Sequence, residues 1–149
     1  MADSQGTGPA AAGIGAVTPG AFRSARREAD DPAESLLAMH KVLLEIGDGT
    51  ASSTATIGHW SVPASTFRWV TAGDEPPFRI TADGQITRLE GELPPPLGTG
   101  VFPERPHTNQ ARLDKAERPL LLSESFTHQL DDDATIIVLA PSGMIGPSE

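Results

Sequence analysis

The sequence predicts an α+β fold, a mainly antiparallel sheet with one or two helices packed on it. Three observations carry this. Residues 31–47 hold a full set of helix signals. From Ser53 onward the chain changes to short runs of β-branched and aromatic residues. Several of these runs are joined by tight, turn-forming links, which favour antiparallel neighbours over crossovers.

Residues 1–20, "MADSQGTGPAAAGIGAVTPG", carry few large apolar groups to offset the entropy of ordering, and they read as a disordered tail. In "AFRSARREA" the residues Arg23, Arg26 and Arg27 share one face of a short, solvated helix. In "DPAESLLAMHKVLLEIG", Asp31 is the N-cap, Pro32 takes the first helical position and Glu34 stands three residues after the cap. Leu36, Met39, His40, Leu43 and Leu44 recur at helical spacing, and Gly47 suits the position after the last turn. His40 therefore reads as a packed or edge histidine.

"STATIGHWSV" and "TFRWV" read as two strands joined through "PAS" at 63–65. "FRIT" and "ITRL" flank "ADGQ", where Asp83-Gly84 is a strong hairpin signal. "GELPPPLG" is a stiff connector. "HTNQARL" alternates weakly, and "PLLLSES" and "ATIIVLA" have the length and composition of buried strands. The count is six or seven strands. The main unit spans 21–140, followed by an irregular tail at 141–149.

Composition excludes several function classes. Net charge is −9, which disfavours nucleic acid and anionic lipid as partners and favours a cation. There is no cysteine, so disulfides, zinc–thiolate sites and Cys nucleophiles are out. No apolar run approaches the length of a membrane span, and the first residues do not form a signal peptide. A cytoplasmic protein is expected.

The sharpest polar feature is "LDDDATIIVLA". Asp131, Asp132 and Asp133 repel one another directly before a strand, so they favour full solvation or a hard cation such as magnesium or manganese. A plain acidic turn has the same appearance and is the commoner case. "LLLSESFTHQ" also ends a strand in a carboxylate, Glu124, which could serve as a second metal ligand. Ser123 and His128 lack the setting of a nucleophile elbow. His59 reads as a packed or edge residue, and Asp48 as a turn residue.

Taken in order, these pieces resemble the later part of the SpoIIE-type (RsbU-like) bacterial protein phosphatase domain. That domain belongs to the metal-dependent PPM, or type-2C, serine/threonine phosphatases. "DPAESLLAMHKVLLE" looks like the family's helix before its central hairpin. "RWVTAGDEPPF" looks like its Ala-Gly-His-Pro-Pro corner, with Asp74 in place of the histidine. "PLLLSESFTH" looks like the strand ending in Thr-Asp-Gly, and "DDATIIVLA" like the closing strand. The resemblance covers roughly residues 30–140.

It implies a partial PPM-like β-sandwich and hydrolysis of phosphoserine or phosphothreonine by a manganese or magnesium pair. Asp132 falls on one ligand position, with Asp133 beside it, and Glu124 stands where the family has the aspartate of Thr-Asp-Gly. Ser125 replaces the adjoining glycine. The family's Gly-Asp and Asp-Gly-His-Gly motifs are not found in residues 1–50. This pattern implies a catalytically deficient relative with one sheet short of strands and edges open to self-association. The implied partners are STAS-type anti-anti-sigma factors or other phosphoproteins. The alternative is a small acidic α+β protein that binds a partner or a divalent cation through Asp131–Asp133, unrelated to phosphatase chemistry.

Overall fold

The computed structural model describes residues 1–5, 8–47, 52–73, 75–123 and 135–140. The chain order is β1 (Ala2–Gln5), α1 (Gly8–Glu28), α2 (Pro32–Ile46), β2 (Ser52–Ser61), β3 (Thr66–Ala72), β4 (Phe78–Ile80), β5 (Ile86–Arg88), β6 (Asn109–Arg112), β7 (Arg118–Leu122) and β8 (Ile136–Val138). All strand pairs are antiparallel. One sheet has the order β1-β2-β3-β6, the other β5-β4-β7-β8.

Helix α2 starts as the sequence requires. Asp31 accepts a hydrogen bond from Ala33 N at 2.8 Å, and Pro32 opens the first turn. Its carboxylate also takes the Thr108 hydroxyl and the Arg68 guanidinium, the latter at 2.7 Å. The last turn closes with Gly47 N donating to Leu43 O at 2.9 Å. Gly47 is extended there (φ −84°, ψ 154°), so the left-handed role expected of it is not used.

Helix α1 departs from the sequence reading, which placed a disordered tail over 1–20. Residues 2–5 form an edge strand, and 8–28 form one helix containing Pro19. The physical reason is spacing. Ala11, Ile14, Thr18, Ala21 and Ala25 are buried and fall three and four apart, a single stripe that packs on α2 and the first sheet. Composition alone hides this stripe because most of its members are small. Packing of the stripe outweighs the poor helix propensity of the glycines. Thr18 Oγ1 bonds back to Ile14 O at 2.7 Å, one turn before Pro19.

The first sheet lies between two apolar layers. Alternation along its strands sends Ala55, Val70 and Ala72 toward the helices, where they meet Leu36, Met39 and Leu43. Phe67 and Trp69 point the other way, onto Leu121 of the second sheet and Leu89 and Leu113. Each large side chain buried this way contributes roughly 1.5–3 kcal/mol. The order is therefore helix pair, sheet, sheet.

The connections hold the layers in register. A loop over 62–65 joins β2 to β3, with Ser65 N donating to Val62 O at 3.1 Å. The Asp83-Gly84 turn joins β4 to β5, closed by Thr81 N to Gln85 O at 2.9 Å. The proline-rich connector is pinned to the first sheet: Gly73 N donates to Pro94 O, and Ser53 and Leu97 exchange two backbone bonds of 3.0 and 2.8 Å. Asn109 clasps Glu92 with its amide, at 3.0 Å to N and 3.1 Å to O.

Each sheet has four described strands, in keeping with the partial sandwich that the resemblance implied. The shortfall lies along one edge. β1 pairs with Ser52–Ala55, whereas β2 continues to Ser61. Among the described residues, no helix is long and apolar enough to cross a membrane.

Candidate functional site

The ends of β7 and β8 meet. Ser123 N donates to Thr135 O at 3.0 Å, and Thr135 N donates to Ser123 Oγ at 2.9 Å. These are the described residues that flank the acidic segment. Glu124, Asp132 and Asp133, the carboxylates the sequence reading singled out, lie outside the described residues, as do Asp74, Asp131 and His128.

Beside this junction is a small cavity of about 20 Å³, room for one water-sized particle. Asp3 and Glu75 line it together with Leu122, the last residue of β7, and the threonines 56 and 71. Each side chain arrives by a different route. Asp3 sits on β1 opposite Thr54, and its carbonyl accepts the Ser53 hydroxyl at 2.8 Å. Glu75 follows the corner that leaves β3. The corner needs Gly73, whose φ is +116° and whose missing Cβ would stand 2.7 Å from Thr54 Cγ2. Thr56 and Thr71 are cross-strand partners, and their buried hydroxyls share a 3.0 Å bond. The Met1 ammonium donates to Thr56 O at 2.8 Å, and burial lowers its pKa from the ordinary value.

Among the described residues, no group of three or more His, Asp or Glu side chains is placed to hold a metal ion. Asp3 and Glu75 alone do not make a two-metal centre. What the described part supplies is a strand-end junction with two carboxylates beside it.

Asp3 is the residue that sequence reading missed. The available signal was an acidic residue in sequence shortly before Gly8, where α1 begins. Gly6 and Gly8 have the spacing of the two glycines in Asp-Gly-His-Gly, but Thr7 stands in the histidine's place and Gln5 in the aspartate's. The small-residue composition of 1–20, which reads as a tail, conceals it.

His40 and His59, which the sequence singled out, lie elsewhere. His40 is buried, stacks on Phe102 with ring centroids 4.2 Å apart and accepts from Gly98 N through Nδ1 at 3.3 Å. Burial lowers its pKa. It is a packed histidine, as its place in the helix stripe suggests. His59 is exposed on β2.

Comparison with known proteins places this arrangement. The family model described as Stage II sporulation protein E (SpoIIE) matches residues 1–140. No protein of curated function matches the sequence. Among solved structures, the RsbU and RsbW domains of Rv1364c from Mycobacterium tuberculosis share 24% identity and a TM-score of 0.69. That match covers 83% of this chain and 34% of the other. The SiaA-PP2C domain of Pseudomonas aeruginosa shares 15% identity at a TM-score of 0.70, covering 86% of this chain and 50% of the other. The catalytic domain of the serine/threonine phosphatase PstP, solved with two manganese ions, shares 15% at 0.61, covering 88% and 68%. This chain thus spans about a third and a half of the first two structures. With the family model covering nearly the whole sequence and the fold shared with PP2C phosphatases, the chain belongs to the SpoIIE family of PPM-type protein phosphatase domains.

Proposed function

We propose that this chain is the later part of a SpoIIE-type serine/threonine phosphatase domain that keeps the location of the metal end but, taken alone, is catalytically deficient. The observation that supports this is the convergence of Asp3, Glu75 and the end of β7 on one small cavity, beside the Ser123–Thr135 junction. Metal-dependent phosphoryl hydrolysis draws its carboxylates from separated strands, and this junction brings separated strands together.

In this reading Asp132, Glu124 and Asp133 are the ligands contributed from the segment between β7 and β8, and Asp3 adds a fourth carboxylate from β1. Manganese or magnesium would supply the activated water and neutralise phosphoryl oxygens. Deficiency follows from the sequence. Glu124 carries one methylene more than the family's aspartate, and Ser125 replaces the adjoining glycine. Octahedral magnesium tolerates such shifts poorly. A cytoplasmic role in a sigma-factor pathway goes with this reading, with a STAS-type regulator or another phosphoprotein as partner. The joint RsbU and RsbW domains of the mycobacterial chain support a regulatory setting. The view of an acidic protein unrelated to phosphatases loses its ground with family membership.

The test is manganese calorimetry together with hydrolysis of a generic aryl phosphate, on the wild type, Asp132→Asn and Asp3→Asn. We expect manganese binding that weakens at least tenfold in Asp132→Asn, and hydrolysis at the buffer rate. Hydrolysis that requires Asp132 would overturn the deficiency. A folded wild type that binds no manganese would overturn the metal end.

A further inference from the structure

We infer that Ser123 is a positioning residue: its buried hydroxyl closes the end of the β7–β8 ladder and sets the course of the chain toward the metal-ligating carboxylates. This role rests on the reading of Glu124, Asp132 and Asp133 as ligands. Ladder parity identifies the anomaly. In an antiparallel pair, opposed residues either exchange both backbone bonds or exchange none. Leu139 N donates to Pro119 O at 3.1 Å, so those two residues form a bonded pair, and Pro119 has no N–H to return. Stepping by two along the register, Leu121–Ile137 and then Ser123–Thr135 are bonded pairs as well. Ser123 N makes its expected bond to Thr135 O, at 3.0 Å. The returning bond is diverted. Thr135 N donates to Ser123 Oγ at 2.9 Å and not to Ser123 O.

A hydroxyl that takes over a backbone bond keeps the strand end closed while the main chain leaves the sheet. The Ser123 carbonyl is then released from the ladder, in the peptide plane that leads to residue 124. Ser123 is 4% exposed, so its hydroxyl lies inside the protein and is held for this bond. Its neighbour Leu122 lines the small cavity together with Asp3 and Glu75. Eleven residues, 124–134, separate the two tied ends. Glu124 follows Ser123 directly, and Asp132 and Asp133 stand three and two positions before Thr135. All three ligands are thus within three positions in sequence of one clasp. Tying a segment at its base lowers the entropy lost when its ends must come together around an ion. Octahedral magnesium demands near-ideal distances, so the exit and the return of that segment must be fixed together. Alanine at 123 offers only the carbonyl. Either the peptide plane turns back into the ladder or Thr135 N loses its bond, and in both cases the chain leaves β7 on another course. Threonine keeps the hydroxyl and also suits a strand end.

The test is manganese calorimetry on the full 149-residue chain as wild type, Ser123→Ala, Ser123→Cys and Ser123→Thr, with Thr135 amide exchange read by NMR without metal. Manganese binding should weaken about tenfold in Ser123→Ala, the lower end for groups that orient metal ligands. Exchange at Thr135 should be at least tenfold faster in that variant. Ser123→Cys, close in size but a weak acceptor, should fall between alanine and the wild type. Ser123→Thr should match the wild type in both readouts. A merely structural role would lower the urea midpoint of Ser123→Ala and leave the manganese affinity of the folded protein unchanged, and that result would overturn the inference. So would unchanged exchange at Thr135, or a threonine variant that fails to restore binding. If Ser123→Ala does not fold, Ser123→Cys decides by the same two readouts. A wild type that binds no manganese is a separate outcome: it overturns the ligand reading itself, and the positioning role falls with it.

Discussion

Asp31 concentrates three jobs in one carboxylate: it caps α2, pairs with Arg68 and accepts the Thr108 hydroxyl. Its burial would raise the carboxyl, but the bonds from Thr108 and Ala33 and the Arg68 charge outweigh that, and its pKa lies below the ordinary value. The stabilisation is therefore present above the ordinary carboxylate value of 3.8 and lost as pH falls through the lowered one. Asp31→Ala should cost about 1–2 kcal/mol in urea denaturation at neutral pH, the range of a lost N-cap. Asp31→Asn should keep most of the cap and lose the acid dependence. The buried Thr56–Thr71 pair behaves differently. Either single change to Val strands the other hydroxyl and should cost about 1–3 kcal/mol. The double change should cost less than the sum, as a double-mutant cycle will measure. Asp31 was legible in the sequence because capping is local: cap, proline and Glu34 lie within four positions. The threonine pair was not, since it depends on the register between two strands.

Elements differ in the same way. α2 announced both its start and its apolar stripe. α1 shows only a stripe of small residues, and its glycines and Pro19 argued for a tail. With α1 and β1 went Asp3, so the one described carboxylate of the N-terminal segment at the candidate site was lost to a misread element. The later strands were legible as runs of the right length, and their hairpin links as turn chemistry. The packing of α2 against residues 98–102 carries a pH prediction. His40 accepts from Gly98 N and stacks on Phe102 as the neutral ring, and burial holds its pKa below 6.5. Its contribution is complete above 6.5 and is lost as pH falls through the lowered value, because the unfolded chain binds the proton first. Stability from denaturant titrations should therefore drop on acidification below about pH 6.5, the ordinary histidine range. His40→Gln should flatten that part of the curve.

For the molecule as a whole, the two sheets present unequal faces. The first is covered on both sides. The outward face of the second leaves Ile86, Ile136 and Val138 at least half exposed, at 60, 52 and 50%. Substituting Ile86 and Val138 by Thr should leave the unfolding midpoint nearly unchanged, since surface replacements usually lie within about 0.5 kcal/mol. It should also reduce concentration-dependent light scattering, because the apolar patch shrinks. The layering itself could not be read from sequence, because strand runs do not say which sheet they join.

The route of the chain between those sheets also governs how the protein comes into being. Three strands of the first sheet are followed by β4 and β5 of the second, then β6 returns, then β7 and β8 finish the other. Neither sheet is encoded by one continuous stretch. The first waits for Asn109–Arg112 and the second for Ile136–Val138. At about 5–20 residues per second, a ribosome leaves β1 and β2 without their full sheet for several seconds or more. Pairings this distant in sequence also make refolding slow, on the order of milliseconds to seconds. During synthesis the apolar stripe of α1 and the edge of β2 are thus bare together, and a chaperone that shields extended apolar segments has its window there.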